Sequence, residues 1–121
     1  MAKRQKQNSD VVVVGSSNTD LVIESAKLPE PGMTVLGGKY QIVSGGKGAN
    51  QAVAAARTGA QVIFVANIGC DDFGDDAMAR LDREGIGTKF VVRDQNAPSG
   101  VAFIMVGDKG RNLISVAASS N

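Results

Sequence analysis

Four valines run without interruption from Val11 to Val14 and meet Gly15. A short, unbroken β-branched run of this kind predicts a buried central strand. Beyond it, "SSNTDLVIE" continues the extended pattern, with Asn18 and Asp20 alternating to one side of the chain before Val22 and Ile23. "LPEPGM" holds two of the three prolines and reads as a turn. Residues 34–44 are again extended but are broken by Gly37 and Gly38, the pattern of a hairpin arm or a bulged strand.

The period then changes. "ANQAVAAART", residues 49–58, is rich in helix formers and stops at Gly59. Its small side chains suit a helix lying close on a sheet. "QVIFVANIG" predicts a second buried strand ending at Gly69, and residues 74–84 a helix with Ala77, Met78 and Leu81 on one face, stopped by Gly85. "TKFVVRD" is a third strand. "SGVAFIMVGDKGRNLISVAAS" reads as two strands joined across the turn "GDKG". This order predicts an α/β fold, a parallel sheet built by right-handed crossovers with additional β-structure projecting from it.

Composition narrows the functions open to such a fold. At 121 residues and 43% hydrophobic, the chain holds one domain's worth of core. Its formal net charge of +1 argues against a nucleic-acid partner captured by bulk charge. Lys3, Arg4 and Lys6 sit in a polar segment read as a flexible tail over residues 1–10. No apolar stretch resembles a secretory signal or reaches membrane-spanning length, so a cytoplasmic protein with no membrane partner is expected. Cys70 is the single cysteine and there is no histidine. An intrachain disulfide, Ser-His or Cys-His catalysis and the usual zinc sites are therefore excluded within this sequence. Cys70 reads as a small loop residue, and no metal site is expected.

Candidate chemistry concentrates in "SGGKGANQ", residues 44–51. Glycines around a lysine suggest a phosphate loop, but a Walker A element needs Ser or Thr directly after the lysine, where Gly48 stands. The Rossmann fingerprint needs its glycines straight after the first strand, which leads instead into "GSSNTD". Both phosphate readings fail on spacing. A small polyhydroxylated ligand suits the residues better. Gly45 and Gly46 would let backbone approach a ligand closely, Lys47 supplies three donors, and the amide of Asn50 both donates and accepts. Asn18 and Asp20 add a second amide and a carboxylate able to grip neighbouring hydroxyls. The ordinary alternative is a glycine loop ending in a helix cap, with Asn18 and Asp20 as turn residues. Pattern alone leaves both open.

From Val11 to Asn121 the chain resembles the N-terminal portion of the ribokinase-like carbohydrate kinase family. "GSSNTD" is similar to the family's Gly-Ser-x-Asn-x-Asp, and "PGMTVLGGKYQIVSGGKGANQAVAAARTGA" to the stretch that carries its glycine-rich sugar signature. The resemblance implies a partial Rossmann-like sheet with helices, and a projecting β-sheet lid formed by segments of about 18–24, 34–44 and 100–117. It implies ribose contacts from Asn18, Asp20, Gly46, Lys47 and Asn50, with Gly45 shaping the loop. Ala102 and Ile104 would lie on the sugar-facing or interface side of the lid, and the lid would pair two subunits.

The complete family enzyme would use ATP, Mg2+ and K+ to phosphorylate ribose. The family's anion hole, its catalytic aspartate and its ATP pocket have no counterpart in this sequence, so no catalytic residue is assigned. A truncated or engineered half-kinase that binds sugar or self-assembles is the alternative, as is a kinase for another sugar or a nucleoside. One departure stands near the end: "AASSN" replaces the Ala-Gly-Ala-Asn common in the family, and Ser119 occupies a glycine position.

Overall fold

A computed structural model describes residues 9–121. The tail expected over residues 1–10 lies outside the described residues except for Ser9 and Asp10. Asp10 is tied to Gln61: its backbone N–H donates to the Gln61 carbonyl, and its carboxylate accepts from the Gln61 N–H. The elements run β1 (Val11–Val14), β2 (Asn18–Glu24), β3 (Lys39–Gly45), α1 (Lys47–Arg57), β4 (Val62–Gly69), α2 (Asp72–Arg83), β5 (Gly87–Asp94), β6 (Gly100–Val106) and β7 (Asn112–Ala117), with a 3-10 turn at Asp108–Gly110. They form two sheets. One is parallel and three-stranded, in the order β1-β4-β5; the other is mixed and four-stranded, in the order β3-β2-β6-β7.

Both helices pack on one face of the parallel sheet. Val13, Val62, Phe64 and Ile68 point into a core closed by Ala49, Ala52 and Val53 of α1 and by Leu81 of α2, with Ala77 and Met78 packed against it. Ala52 is wholly buried, as the small residues of α1 foretold. Gly59 and Gly85 follow the two helices in left-handed conformations.

The expectation of a buried central strand at Val11–Val14 needs correction. Among the described residues β1 is an edge of its sheet, and only Val13 of the run is buried. Alternation sends Val12 and Val14 to the face away from the helices, where they are 58% and 75% exposed; Phe90 and Val92 of β5 lie on that same face, 51% and 60% exposed. The arm at residues 34–44 is corrected as well. Gly37 and Gly38 take positive φ, so extended structure starts only at Lys39, and β3 then pairs antiparallel with all of β2.

The second sheet joins the core through a hydrogen-bonded latch. The Asp71 carboxylate caps α2 by accepting from the Gly74 N–H at 2.8 Å, and it also accepts from the N–H and the hydroxyl of Ser99, just before β6, at 2.8 and 2.7 Å. The Ser99 hydroxyl in turn accepts from the Gly69 N–H at the end of β4. Partial burial works to raise the Asp71 pKa. The hydrogen bonds from Ser99 and Gly74, with the positive charge of Arg93, outweigh it and hold the carboxyl below its ordinary value.

A lowered carboxyl pKa contributes stability that is present above the unfolded-state pKa and lost as pH falls through the folded one. Asp71→Ala is therefore expected to cost about 1–2 kcal/mol at pH 7, the usual worth of a cap with charge-assisted bonds. Urea unfolding of both proteins should show this gap narrowing on acidification. A gap that is absent at neutral pH, or that persists unchanged in acid, contradicts the latch.

Candidate functional site

The chain leaves β1 at Val14 and enters β2 at Asn18, so residues 15–17 carry it from one sheet to the other. They cross the first turn of α1 with backbone against backbone. A Cβ on Gly48 would lie 2.7 Å from the Gly15 Cα and the Ser16 N, and the Ala49 N–H donates to the Ser16 carbonyl. Gly46, the residue before α1, has φ +94°, and a Cβ there would lie 2.7–2.8 Å from Ser16 O, Ser17 Cα and Asn18 N. Close approach of a ligand was the expected reason for glycine at this position. The structure supplies a different one, since the protein's own backbone already fills the space.

This crossing gathers most of the candidate polar residues. Asn18 of β2 lies opposite Gly45 of β3, while Lys47 and Asn50 stand on the first turn of α1 immediately beyond. A Cβ on Gly45 would collide with the Asp20 carboxylate, so that carboxylate lies over the bare Gly45 backbone. Lys47 and Asn50 are exposed, and Lys47 takes part in no ion pair among the described residues. Pairing with β6 sets Ala102 beside Asp20 and Ile104 beside Val22, so Ala102 and Ile104 share the Asp20 face of the second sheet. Burial pushes the Asp20 carboxyl above its ordinary pKa. The result is one desolvated acceptor on the same strand face as the Asn18 amide, with Lys47 and Asn50 exposed on the adjoining first turn of α1, donors and acceptors of the kind that suit a neutral ligand with several hydroxyls.

A further cleft lies elsewhere. About 500 Å³ in volume, it runs between the opposite face of the second sheet and the start of α2, lined mainly by Leu21, Phe73, Pro98, Val101, Phe103 and Ala117. Asp71 and Ser99 at its edge are already bonded to each other. Asp72 and Ser119 are the other polar residues of a lining that is mostly apolar. Among the described residues no group of three or more acidic, histidine or cysteine side chains comes together to hold a metal.

The model of the pfkB family carbohydrate kinases matches residues 8–121. The chain belongs to the pfkB family of carbohydrate kinases. It is 42% identical over 118 residues to the ribokinase of Mus musculus, covering 98% of this chain and 36% of that protein. It is 44% identical over 112 residues to the ribokinase of Bacillus subtilis, covering 93% of this chain and 38% of that one. Among solved structures, an Arabidopsis thaliana ribokinase complexed with ribose and ATP superimposes with a TM-score of 0.83 at 34% identity, over 93% of this chain and 37% of its own. The chain thus spans little more than a third of the length of these relatives.

Within this pfkB chain, sequence reasoning missed one polar residue at the crossing. Asn121 accepts from the Ser17 N–H at 2.9 Å and donates to the Asn18 side chain. The one available signal was the terminal Asn of the "AASSN" segment. Ser119, which stands in a glycine position of the family pattern, adopts φ +52°, the left-handed conformation that glycine would supply freely.

Because backbone occupies the space beside Gly46, Gly46→Val is expected to destabilise the fold by about 3 kcal/mol or more, adding φ strain to a clash. Urea unfolding followed by circular dichroism measures this. A midpoint equal to the parent's removes the tight crossing from the account.

Proposed function

We propose that this chain is the sugar-binding and lid portion of an ATP-dependent ribokinase, which converts D-ribose and ATP to D-ribose 5-phosphate and ADP. The observation that carries the reading is the gathering of Asn18, Asp20, Lys47 and Asn50 around the Gly45–Gly46 backbone. In this reading Asp20 accepts from sugar hydroxyls, while Asn18, Asn50 and Lys47 donate to them. The second sheet serves as the lid, with Ala102 and Ile104 turned toward the sugar and shielding it from water. Phosphoryl transfer rests on positioning and charge stabilisation, and these residues position the acceptor.

The proton acceptor for the reacting hydroxyl is assigned to no residue here. No group of three or more acidic side chains comes together among the described residues, and in this reading Mg2+, K+ and the nucleotide belong to the remainder of a complete kinase. A cytoplasmic location, where ATP is at hand, goes with it; no helix among the described residues is long and apolar enough to cross a membrane. No nucleic-acid or membrane partner enters the reading. A Salmonella typhi deoxyribokinase is 37% identical to the chain, so a panel of pentoses, hexoses and nucleosides belongs in any binding assay.

A second reading, a half-kinase that assembles with copies of itself, is favoured by the apolar sheet face bearing Val12, Val14, Phe90 and Val92. Exposed faces and strand edges of this kind seek partners, and the strands of the lid would pair two subunits.

Asp20 carries the sharpest test. Asp20→Ala is expected to weaken ribose binding by about 1.5–3 kcal/mol, the range for charge-assisted hydrogen bonds, as read by calorimetry. Its raised pKa means that the fold favours the neutral acid, so ionisation costs stability as pH rises through the folded pKa. Ribose needs the ionised acceptor, so affinity should fall on acidification at a higher pH than an ordinary aspartate would dictate. Asp20→Asn should accordingly weaken ribose binding and yet raise stability at neutral pH. Unchanged affinity removes Asp20 from the sugar site.

The 121-residue chain alone should release no ADP in a ribose-dependent coupled assay and should elute as a dimer or larger species in size-exclusion chromatography with light scattering. Turnover by rigorously purified chain would refute the division of labour, and a stable monomer would refute self-association.

A further inference from the structure

We propose that Asn121 is a positioning residue that fixes the amide of Asn18 with its Nδ2 group, rather than its Oδ1, presented to the sugar; the proposal rests on the sugar-site reading above. The orientation follows from groups that can play only one part in a hydrogen bond. A backbone N–H only donates, so the atom of Asn121 that Ser17 N–H meets at 2.9 Å is the oxygen. A backbone carbonyl only accepts, so the atom of Asn121 that meets Ala118 O at 3.1 Å is the nitrogen. Asn121 is thus oriented from both ends by main chain. Its Nδ2 also donates to Asn18, which must answer with Oδ1.

Two local features maintain this arrangement. Ser119 in its left-handed conformation turns the chain so that the Asn121 N–H returns to the Ala118 carbonyl at 3.0 Å. Gly100, paired with Asn18 across the sheet, leaves open the space through which the Asn121–Asn18 bond passes, since a Cβ there would collide with both side-chain atoms. The amide plane of Asn18 then directs Nδ2 away from Asn121, and Nδ2 has no partner among the described residues.

The chemical consequence is a matched pair on one strand face. Asp20 only accepts and Asn18, so held, only donates. A hydroxyl gives its single proton to Asp20 and keeps a lone pair for Asn18. If the Asn18 amide turned over, two acceptors would face that one proton. Asn121 in this way makes the pair selective for hydroxyls that both donate and accept.

Hydrogen exchange of the side-chain amides in the 15N-labelled 121-residue chain tests the orientation without sugar. The Asn121 amide should exchange slowly and the Asn18 amide fast. Asn121→Asp keeps an acceptor for Ser17 but removes the donor, so it should turn the Asn18 amide round and slow its exchange. Fast exchange at Asn121, or an Asn18 amide indifferent to Asn121→Asp, overturns the proposal.

Ribose titrations then read the consequence. Asn121→Ala should weaken binding about 5- to 10-fold, the worth of one hydrogen bond, and less than about 2-fold when Asn18 is already alanine. Equal losses in both backgrounds, as an indirect effect on folding would produce, overturn it. A parent chain that binds no ribose refutes the sugar-site reading instead, while the exchange measurement still decides the orientation.

Discussion

Backbone meets backbone where residues 15–18 cross the first turn of α1, and the rest of the site hangs from that contact. β1 belongs to the parallel sheet and β2 to the mixed one, with only three residues between them. The crossing therefore sets the distance between the sheets and, with it, the distance from Asn18 and Asp20 to Lys47 and Asn50. A single Cβ at Gly46 or Gly48 would have to push main chain aside, because no flexible side chain is present there to yield. Gly46 and Gly48, on either side of Lys47, thus serve the joint between sheets first, while Gly45 makes room for the Asp20 carboxylate.

Two further ties reinforce the joint from the other connections between sheets. Asp71 and Ser99 fasten the start of β6 to the cap of α2, and Asn121 fastens the end of the chain to Ser17 and Asn18. These contacts cluster at the carboxyl ends of β1, β4 and β5, the end of an open parallel sheet where ligands are generally bound. In β1 and β4 the last residue is followed by a connection that takes part directly: residues 15–17 after Val14, and Cys70 with Asp71 after Gly69. The polar set and the supports of the second sheet share one edge. A change in how that sheet sits would therefore be felt at Asp20.

Local rules carried most of the element pattern. The alanine-rich run, its stop at Gly59 and the apolar face of α2 follow from propensity and period, and the β6–β7 hairpin stands close to where "GDKG" placed it, whereas the pattern alone ran residues 18–24 on from β1 and only the family resemblance set them apart as a lid segment. The neighbours of an element were not accessible in this way. Four consecutive valines look alike whether a sheet is covered on one face or two, and here the helices cover only one. Gly46 was recognised as a position that bars a side chain, but the obstruction is Ser16–Asn18, nearly thirty residues earlier in the chain. Asn121 was invisible for the same reason, as its partners Ser17 and Asn18 lie more than a hundred residues away. At Ser119 the departure from the family pattern marked the residue but not its conformation, which is left-handed.

The uncovered apolar face and the polar site are two aspects of one asymmetry. Right-handed crossovers that always step in the same direction, β1 to β4 to β5, must place both helices on one side of the sheet. The opposite side keeps Val12, Val14, Phe90 and Val92 in solvent, an exposed apolar face of the kind that marks an interaction surface. The polar set is local as well: Asn18, Asp20, Lys47 and Asn50 stand around one crossing, and no group of three or more acidic side chains comes together among the described residues. Whatever covers the bare sheet face stands at the same parallel strands whose carboxyl ends carry the crossing. Completing the core and completing the chemistry are therefore coupled demands, and a partner for that face would stabilise the joint on which Asp20 and Asn18 depend.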